Sequence, residues 1–265
     1  MARRWLARRF PPCPGTRKIK FHATHSHIKR RWDNDGRHPP SELGTVIVAA
    51  PDGPRSGGSS AISCNTMLMP KRIDDYNGAQ MWSVNGTPAD CVKLALNAIV
   101  DKQPDLVLAG INHGSNTGNS VIYSGTMGAV IEGCLQGIPS IGFSVCTHNP
   151  SAADFDACMP HVTEITRRVI ERGLPDGVCL NVNFPKGGVV KGFRRARACR
   201  GRWTEEYAHY TSPEGKPFYI LTGKYENHEP EATDTDLYWN AQGYGSVVPV
   251  IPDLDYSGPL DIMNE

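Results

Sequence analysis

Four short apolar runs, at 45–51, 105–111, 139–145 and 178–184, constrain this chain more than any other feature. Each is closed by proline, glycine or a polar loop, so each reads as a strand buried on both faces. Helical segments lie between them. Thr87 suits an N-cap and Pro88 the first helical position, and Val92, Leu94, Ala95, Leu96, Ile99 and Val100 then form an apolar face. A second helix, 127–136, starts from Ser124-Gly125-Thr126 and stops at Gly137, and a third, 161–172, ends at Gly173. Buried strands alternating with helices predict a mostly parallel sheet with helices on both faces, a Rossmann-like three-layer α/β/α sandwich. From about residue 186 the pattern gives way to aromatics, turns and strand-like pieces at 217–222 and 245–251. That stretch is expected to be a C-terminal extension used for hairpins and subunit contacts within a domain covering 43–265.

The first 42 residues differ in kind. Residues 1–40 carry eleven Lys and Arg against Asp33 and Asp35, whereas the remainder holds 17 basic and 25 acidic residues. The segment shows neither helical nor strand periodicity and is read as a disordered basic leader. Such an arm raises the option of nucleic-acid binding, but it lacks a helical or ribbon frame to place side chains in a groove. No apolar run is long enough to span a bilayer. The cysteines, among them Cys64, Cys91, Cys134, Cys146, Cys158, Cys179 and Cys199, show no CxxC pairing and sit mostly among apolar residues. Reduced thiols and a soluble, cytoplasmic protein are expected.

In an open α/β sheet, ligands bind outside the carboxyl ends of the strands. Three loops leaving those ends are small and polar. The first contains Arg55-Ser56-Gly57, the second reads Asn112-His-Gly-Ser-Asn-Thr-Gly118, and the third is Tyr123-Ser-Gly-Thr126 at a helix start. Backbone N–H groups at Ser124, Gly125 and Thr126 suit a phosphate. Ser56 and Asn112 offer neutral oxygens that suit a hard cation without supplying charge. One such loop is ordinary turn chemistry; three together favour a phosphate or nucleotide site. His113, His148 and His161 are isolated and read as surface or satisfied side chains. His22, His25 and His27 lack a frame for a tetrahedral metal site, and Asp234-Thr-Asp236 reads as a loop.

Taken together, these stretches resemble the SurE family of survival-protein 5′/3′-nucleotidases. The resemblance is carried by Val46-Ile-Val-Ala-Ala-Pro-Asp-Gly-Pro-Arg-Ser-Gly57, Val84-Asn-Gly-Thr-Pro-Ala-Asp-Cys-Val-Lys-Leu-Ala95 and Pro104-Asp-Leu-Val-Leu-Ala-Gly-Ile-Asn-His-Gly114. Val121-Ile-Tyr-Ser-Gly-Thr126, Leu180-Asn-Val-Asn-Phe-Pro185 and Thr235-Asp236 followed by Gly243-Tyr-Gly-Ser-Val-Val-Pro249 extend it. It implies metal-dependent hydrolysis of nucleoside monophosphates. A Mg²⁺ or Mn²⁺ ion would be held by two adjacent Asp together with Ser56 and Asn112, with phosphate near Ser124, Gly125 and Thr126. A homo-oligomer, dimer or tetramer, is the expected assembly.

One departure stands out. Family members open with a short apolar strand ending Asn-Asp-Asp-Gly, and the printed sequence has none; Asp33-Asn34-Asp35-Gly36 differs in order and follows no apolar run. Back-translating Thr24-His-Ser-His-Ile-Lys-Arg-Arg-Trp32 and shifting the frame by one base permits Leu-Ile-Leu-Ile-Ser-Asn-Asp-Asp-Gly. The final Gly is forced, because Trp has one codon and Asp begins with G. Residues 1–40 are therefore read as out of frame. Lacking the Asp pair, the chain is expected to be an impaired nucleotidase. The competing readings are a catalytically dead relative and, less favoured, a nucleic-acid-binding protein. A dinucleotide-dependent oxidoreductase is disfavoured because no GxGxxG follows a strand.

Overall fold

The computed structural model describes residues 18–22, as backbone, together with 43–76 and 78–255. Among them, nine strands form one sheet: β1 (Lys18–His22), β2 (Thr45–Pro51), β3 (Lys71–Tyr76), β4 (Ala79–Val84), β5 (Leu106–His113), β6 (Ser140–Val145), β7 (Cys179–Phe184), β8 (Phe193–Arg195) and β13 (Gly245–Val250). Their spatial order is β3-β4-β2-β1-β5-β6-β7-β13-β8. The run from β4 to β7 is parallel throughout, and antiparallel strands flank it on both sides. The mostly parallel Rossmann-like α/β architecture is thus present.

The four predicted strands are β2, β5, β6 and β7. All of β6 and β7 is buried, as is β2 after Thr45. Successive residues of β5 enter clusters on opposite faces of the sheet: Leu106 and Leu108 in one, Val107 and Ala109 in the other. Burial on both faces is why these runs are mostly apolar.

The helices follow from their caps. α1 (Pro88–Leu94) begins with a capping box between Thr87 and Asp90 and continues through a π turn, Ala95–Ile99. α2 (Gly125–Leu135) is capped by Ser124, whose hydroxyl accepts the Met127 N–H at 3.1 Å. α3 (Ala152–Arg172) begins nine residues before the expected start at His161. Pro160 directly precedes the expected start, yet Ser151 and Asp154 form a capping box upstream of it. The buried stripe Phe155, Cys158, Val162, Thr166 and Val169 also runs straight past the proline. Loss of one intrahelical bond at Pro160 is outweighed by that packing.

Three further differences from expectation concern strands and caps. β3 and β4 were not anticipated; β3 is a charged edge strand, Lys-Arg-Ile-Asp-Asp-Tyr, with little burial, and charge on an edge guards it against stray pairing. Asp234-Thr-Asp236 is not loop alone, because Thr235 caps α4 (Asp236–Ala241) and accepts the Tyr238 N–H at 3.2 Å. Most consequential is β1. The leader was read as free of strand, but Lys18–His22 pairs in parallel with both β2 and β5 at the centre of the sheet. The order of the other leader residues lies outside the described residues.

Beyond β8 the chain forms a long two-stranded arm. β9 (Gly201–Thr204) pairs with β12 (Lys224–Asn227), and β10 (Tyr207–Thr211) with β11 (Pro217–Leu221), all antiparallel. Every residue of β11 is exposed, including Phe218, Tyr219, Ile220 and Leu221.

Candidate active site

Because β2, β1 and β5 are parallel neighbours, the loops after β2 and β5 leave the same edge of the sheet. The loop after β2 crosses the start of α2. The Ser59 N–H donates to the Tyr123 carbonyl at 3.2 Å, and the Ser59 hydroxyl donates to the Ile122 carbonyl at 2.5 Å. A Cβ on Gly125 would stand 3.3 Å from the Arg55 carbonyl, and one on Gly128 would stand 2.1 Å from that of Ser59. The glycines of α2 let this loop lie directly on the helix. Arg55 fixes its other side, with Nε donating to the Gly86 carbonyl at 3.0 Å and Nη2 meeting Asp52 at 2.9 Å.

The structure therefore brings the backbone of Arg55 and Ser59 against the start of α2. Ser56 is exposed, while Ser124, Gly125 and Thr126 are buried. Asn112 sits at the end of β5, separated from β2 by β1, where a register shift between Ala109 and Asn112 interrupts pairing with β6. Its side-chain amide closes its own turn by donating to the carbonyls of His113, at 3.1 Å, and Gly114, at 2.9 Å.

The rest of the Asn112–Gly118 loop is held from beneath by a buried polar network. The Asn116 N–H donates to Asn183 Oδ1 at 2.8 Å, and Asn116 Nδ2 to the Ser144 hydroxyl at 2.8 Å. Asn181 Nδ2 reaches the Asn116 carbonyl at 2.8 Å. Asp236, fully buried, accepts N–H groups from Gly118 at 2.8 Å, Cys199 at 3.0 Å and Leu237 at 2.8 Å. Burial pushes its carboxyl above the usual range against the opposing pull of those donors. Sequence reading passed over Asn116, Asn181, Asn183 and Ser144. The available signal was Asn181 and Asn183 at alternate positions of an apolar strand: same-face polar residues inside a buried strand must be satisfied by partners.

The cation implied by the resemblance can be tested against these residues. Among the described residues no group of three or more His, Cys, Asp or Glu is arranged to hold a metal ion. The nearby carboxylates are committed: Asp52 to Arg55, Asp90 to Ser63 and Thr87, Glu132 to Lys93 at 2.8 Å, and Asp236 to backbone amides. Ser56 and Asn112 are neutral. A hard divalent ion requires anionic oxygen in place of lost hydration, so the described residues do not fit it. His161 packs against Phe184 and Phe193, with ring centroids 6.4 and 5.3 Å away. Burial raises the thiols of Cys146, Cys158 and Cys179 to about 12, which leaves no nucleophilic thiolate among them at neutral pH. His25, His27, Asp33 and Asp35 lie outside the described residues.

An α/β scaffold whose polar loops gather over a capped helix start at the carboxyl edge defines the phosphate- and nucleotide-handling class of proteins. Comparison narrows that class. The family model "Survival protein SurE" matches residues 38–205. The 5′-nucleotidase SurE of Phocaeicola vulgatus is 46% identical over 223 residues, 84% of this chain and 85% of the relative. That of Bacteroides fragilis is 46% identical over 212 residues, 80% of this chain and 83% of the relative. The crystal structure of the SurE protein from Aquifex aeolicus superposes with a TM-score of 0.73 at 33% identity, covering 90% of this chain and 94% of that one. The chain belongs to the SurE family, which by its curated relatives is a family of nucleotidases.

Proposed function

We propose that this chain carries a nucleoside-monophosphate site in which the phosphate sits at Ser124, Gly125 and Thr126, on the backbone N–H groups of Gly125 and Thr126, the Ser124 N–H being turned to the Val121 carbonyl at 3.2 Å. The observation that carries this reading is the seating of the 55–60 loop on the start of α2, through Ser59 with Tyr123 and Ile122 and through the close approach of Gly125 to Arg55. A helix N-terminus under such a loop presents partial positive charge to an anion in a confined space. The family reaction is hydrolysis of the phosphate ester. Ser56 and Asn112 are the neutral part of the ligand set for Mg²⁺ or Mn²⁺, and the charge that would complete it is missing from the described residues. The printed chain is therefore an impaired nucleotidase that retains its phosphate-binding edge.

Two further parts of the reading have their own support. The exposed apolar arm β10–β11 fits self-association into a homo-oligomer, dimer or tetramer. The unpaired cysteines fit a reducing, cytoplasmic setting. No helix among the described residues is long and apolar enough to cross a membrane. Nucleic acid is not a favoured partner.

Calorimetric titration with a nucleoside monophosphate, beside a phosphate-release assay with Mg²⁺ or Mn²⁺ and with chelator, tests the proposal. Saturable binding, weakened in Ser124→Ala, with turnover near the blank is the expected pair of results. Robust turnover abolished by chelator would overturn the impairment. Binding indifferent to Ser124→Ala would remove the phosphate from α2.

A further inference from the structure

The segment that leads into α2 also forms one wall of a cavity that the functional reading leaves unused. This pocket, of about 720 Å³, lies between residues 118–122, β8 and the end of β13. Its volume is that of an ordinary small-molecule site. The walls are branched aliphatic: Val121 and Ile122 come from the turn before α2, and Val248 and Ile251 from β13 and the residue after it. Val248 is buried, whereas Ile122 and Ile251 are 65% and 62% exposed. No aromatic ring lines the pocket, so a nucleobase finds nothing to stack on. Three charged side chains line it, Arg195, Arg197 and Asp234. Arg197 is committed, to Asp234 at 2.8 Å and to Glu229 at 2.7 Å. Arg195, the last residue of β8, is exposed and makes no ion pair among the described residues. The pocket thus sets one uncommitted positive charge beside aliphatic surface.

We propose that this pocket binds a medium-chain aliphatic carboxylate, with the carboxylate on Arg195 and the hydrocarbon along Ile122 and Ile251, and that the bound chain steadies the 55–60 loop. Each part of the ligand follows from the lining. One free guanidinium matches a single negative charge and suits the paired oxygens of a carboxylate. A dianionic phosphate would call for a second free cation, and Arg197 is not one. Branched aliphatic walls without rings favour a flexible hydrocarbon over a flat ring system, and burial of its methylenes drives binding. The link to the loop runs through Ile122, whose carbonyl accepts the Ser59 hydroxyl, while the adjoining Tyr123 carbonyl accepts the Ser59 N–H at 3.2 Å. A chain packed on Ile122 binds best when residues 118–122 hold this conformation, so it favours the arrangement on which the loop rests. The site stands on its own lining and not on the nucleotidase reading.

Calorimetric titration of the full chain with decanoate, kept below the concentration at which it self-associates, should show saturable binding. Decyltrimethylammonium, with the same tail and the opposite charge, should not bind. Arg195→Gln should weaken decanoate about tenfold, the effect of losing one charge-assisted pair. Ile251→Asp should abolish binding at unchanged Tm, because the side chain it replaces is exposed. Phe218→Asp with Ile220→Asp should bind decanoate as the parent does, since the arm is not part of the pocket. Saturating decanoate should slow tryptic cleavage after Arg55. Equal uptake of the two tails, loss of binding in the arm variant, or indifference to Arg195→Gln and Ile251→Asp would remove the ligand from this pocket. A full chain that takes no decanoate, because a second copy or residues 256–265 fill the cavity, would overturn the proposal as well. Unaltered cleavage after Arg55 with decanoate bound would break the link through Ile122. No nucleotide enters these measurements, so this proposal and the nucleotidase reading fail separately.

Discussion

The carboxylate of Asp236 accepts the backbone N–H of Gly118 at 2.8 Å, joining residues 118 positions apart and tying the C-terminal extension to the loop that leads into α2. The same segment is held from the arm as well, where the Asn119 side-chain amide donates to the Gly201 carbonyl and its backbone N–H to the Tyr225 hydroxyl at 3.4 Å. Residues 118–123, which run directly into Ser124, are thus positioned by the last third of the chain.

Replacing Asp236 with Ala should leave several buried N–H groups without an acceptor and lower stability by about 2–4 kcal/mol in urea unfolding. Its pH dependence has a definite sign. Burial raises the folded-state pKa, so this carboxyl favours folding most below its ordinary value and loses that contribution as pH rises through the raised one. Asp236→Asn should therefore flatten the decline in stability from acid toward neutral pH, as followed by thermal melts across that range. An unchanged slope in this variant would show that the carboxyl does not titrate in this way.

Asp90 has the opposite sign. Burial pushes its carboxyl up, but donors from Ser63 and Thr87 prevail and hold it below the usual range. Its contribution is present above the ordinary value and is lost as pH falls through the depressed one. Asp90→Asn should cost about 1–2 kcal/mol at neutral pH and remove part of the acid limb of the stability curve. Because Ser63 donates to both carboxylate oxygens, at 2.9 and 2.7 Å, segment 61–69 should become more open to proteases in the variant. Unaltered cleavage there would separate this tether from the cap.

Gly128→Ala sets two effects against each other. Alanine favours a helix over glycine by about 1 kcal/mol. The added Cβ would lie 2.1 Å from the Ser59 carbonyl, closer than any packed pair tolerates. The clash should win, with net destabilisation of roughly 1–3 kcal/mol and weaker nucleotide binding, because the 55–60 loop must lift off α2. A variant more stable than the parent would mean that the loop does not rest on this helix.

Phe218 and Ile220 are solvent-exposed on β11, 43% and 49% respectively. Exposed apolar surface of this extent on a projecting strand pair marks an interaction element. Phe218→Asp with Ile220→Asp should convert the proposed homo-oligomer to monomer in light scattering while leaving the melting of the α/β domain within a few degrees. An unchanged mass would exclude the arm from assembly.

Much of this molecule was legible in the sequence because local physics determined it. Short, mostly apolar runs marked β2, β5, β6 and β7, since strands buried on both faces show little polar side chain to solvent. Thr87 with Pro88, and Ser124 with its glycine, marked the starts of α1 and α2 through capping chemistry. The small polar loops at strand ends followed from the same reading. Tertiary structure decided the rest. Pro160 was absorbed into α3 because a buried stripe on both sides of it outweighs one missing hydrogen bond. Asp236 became a fully buried acceptor for residues far away in sequence, a role that no local pattern encodes. The place of Lys18–His22 between β2 and β5 was likewise decided by pairing with strands far along the chain, which no local pattern encodes.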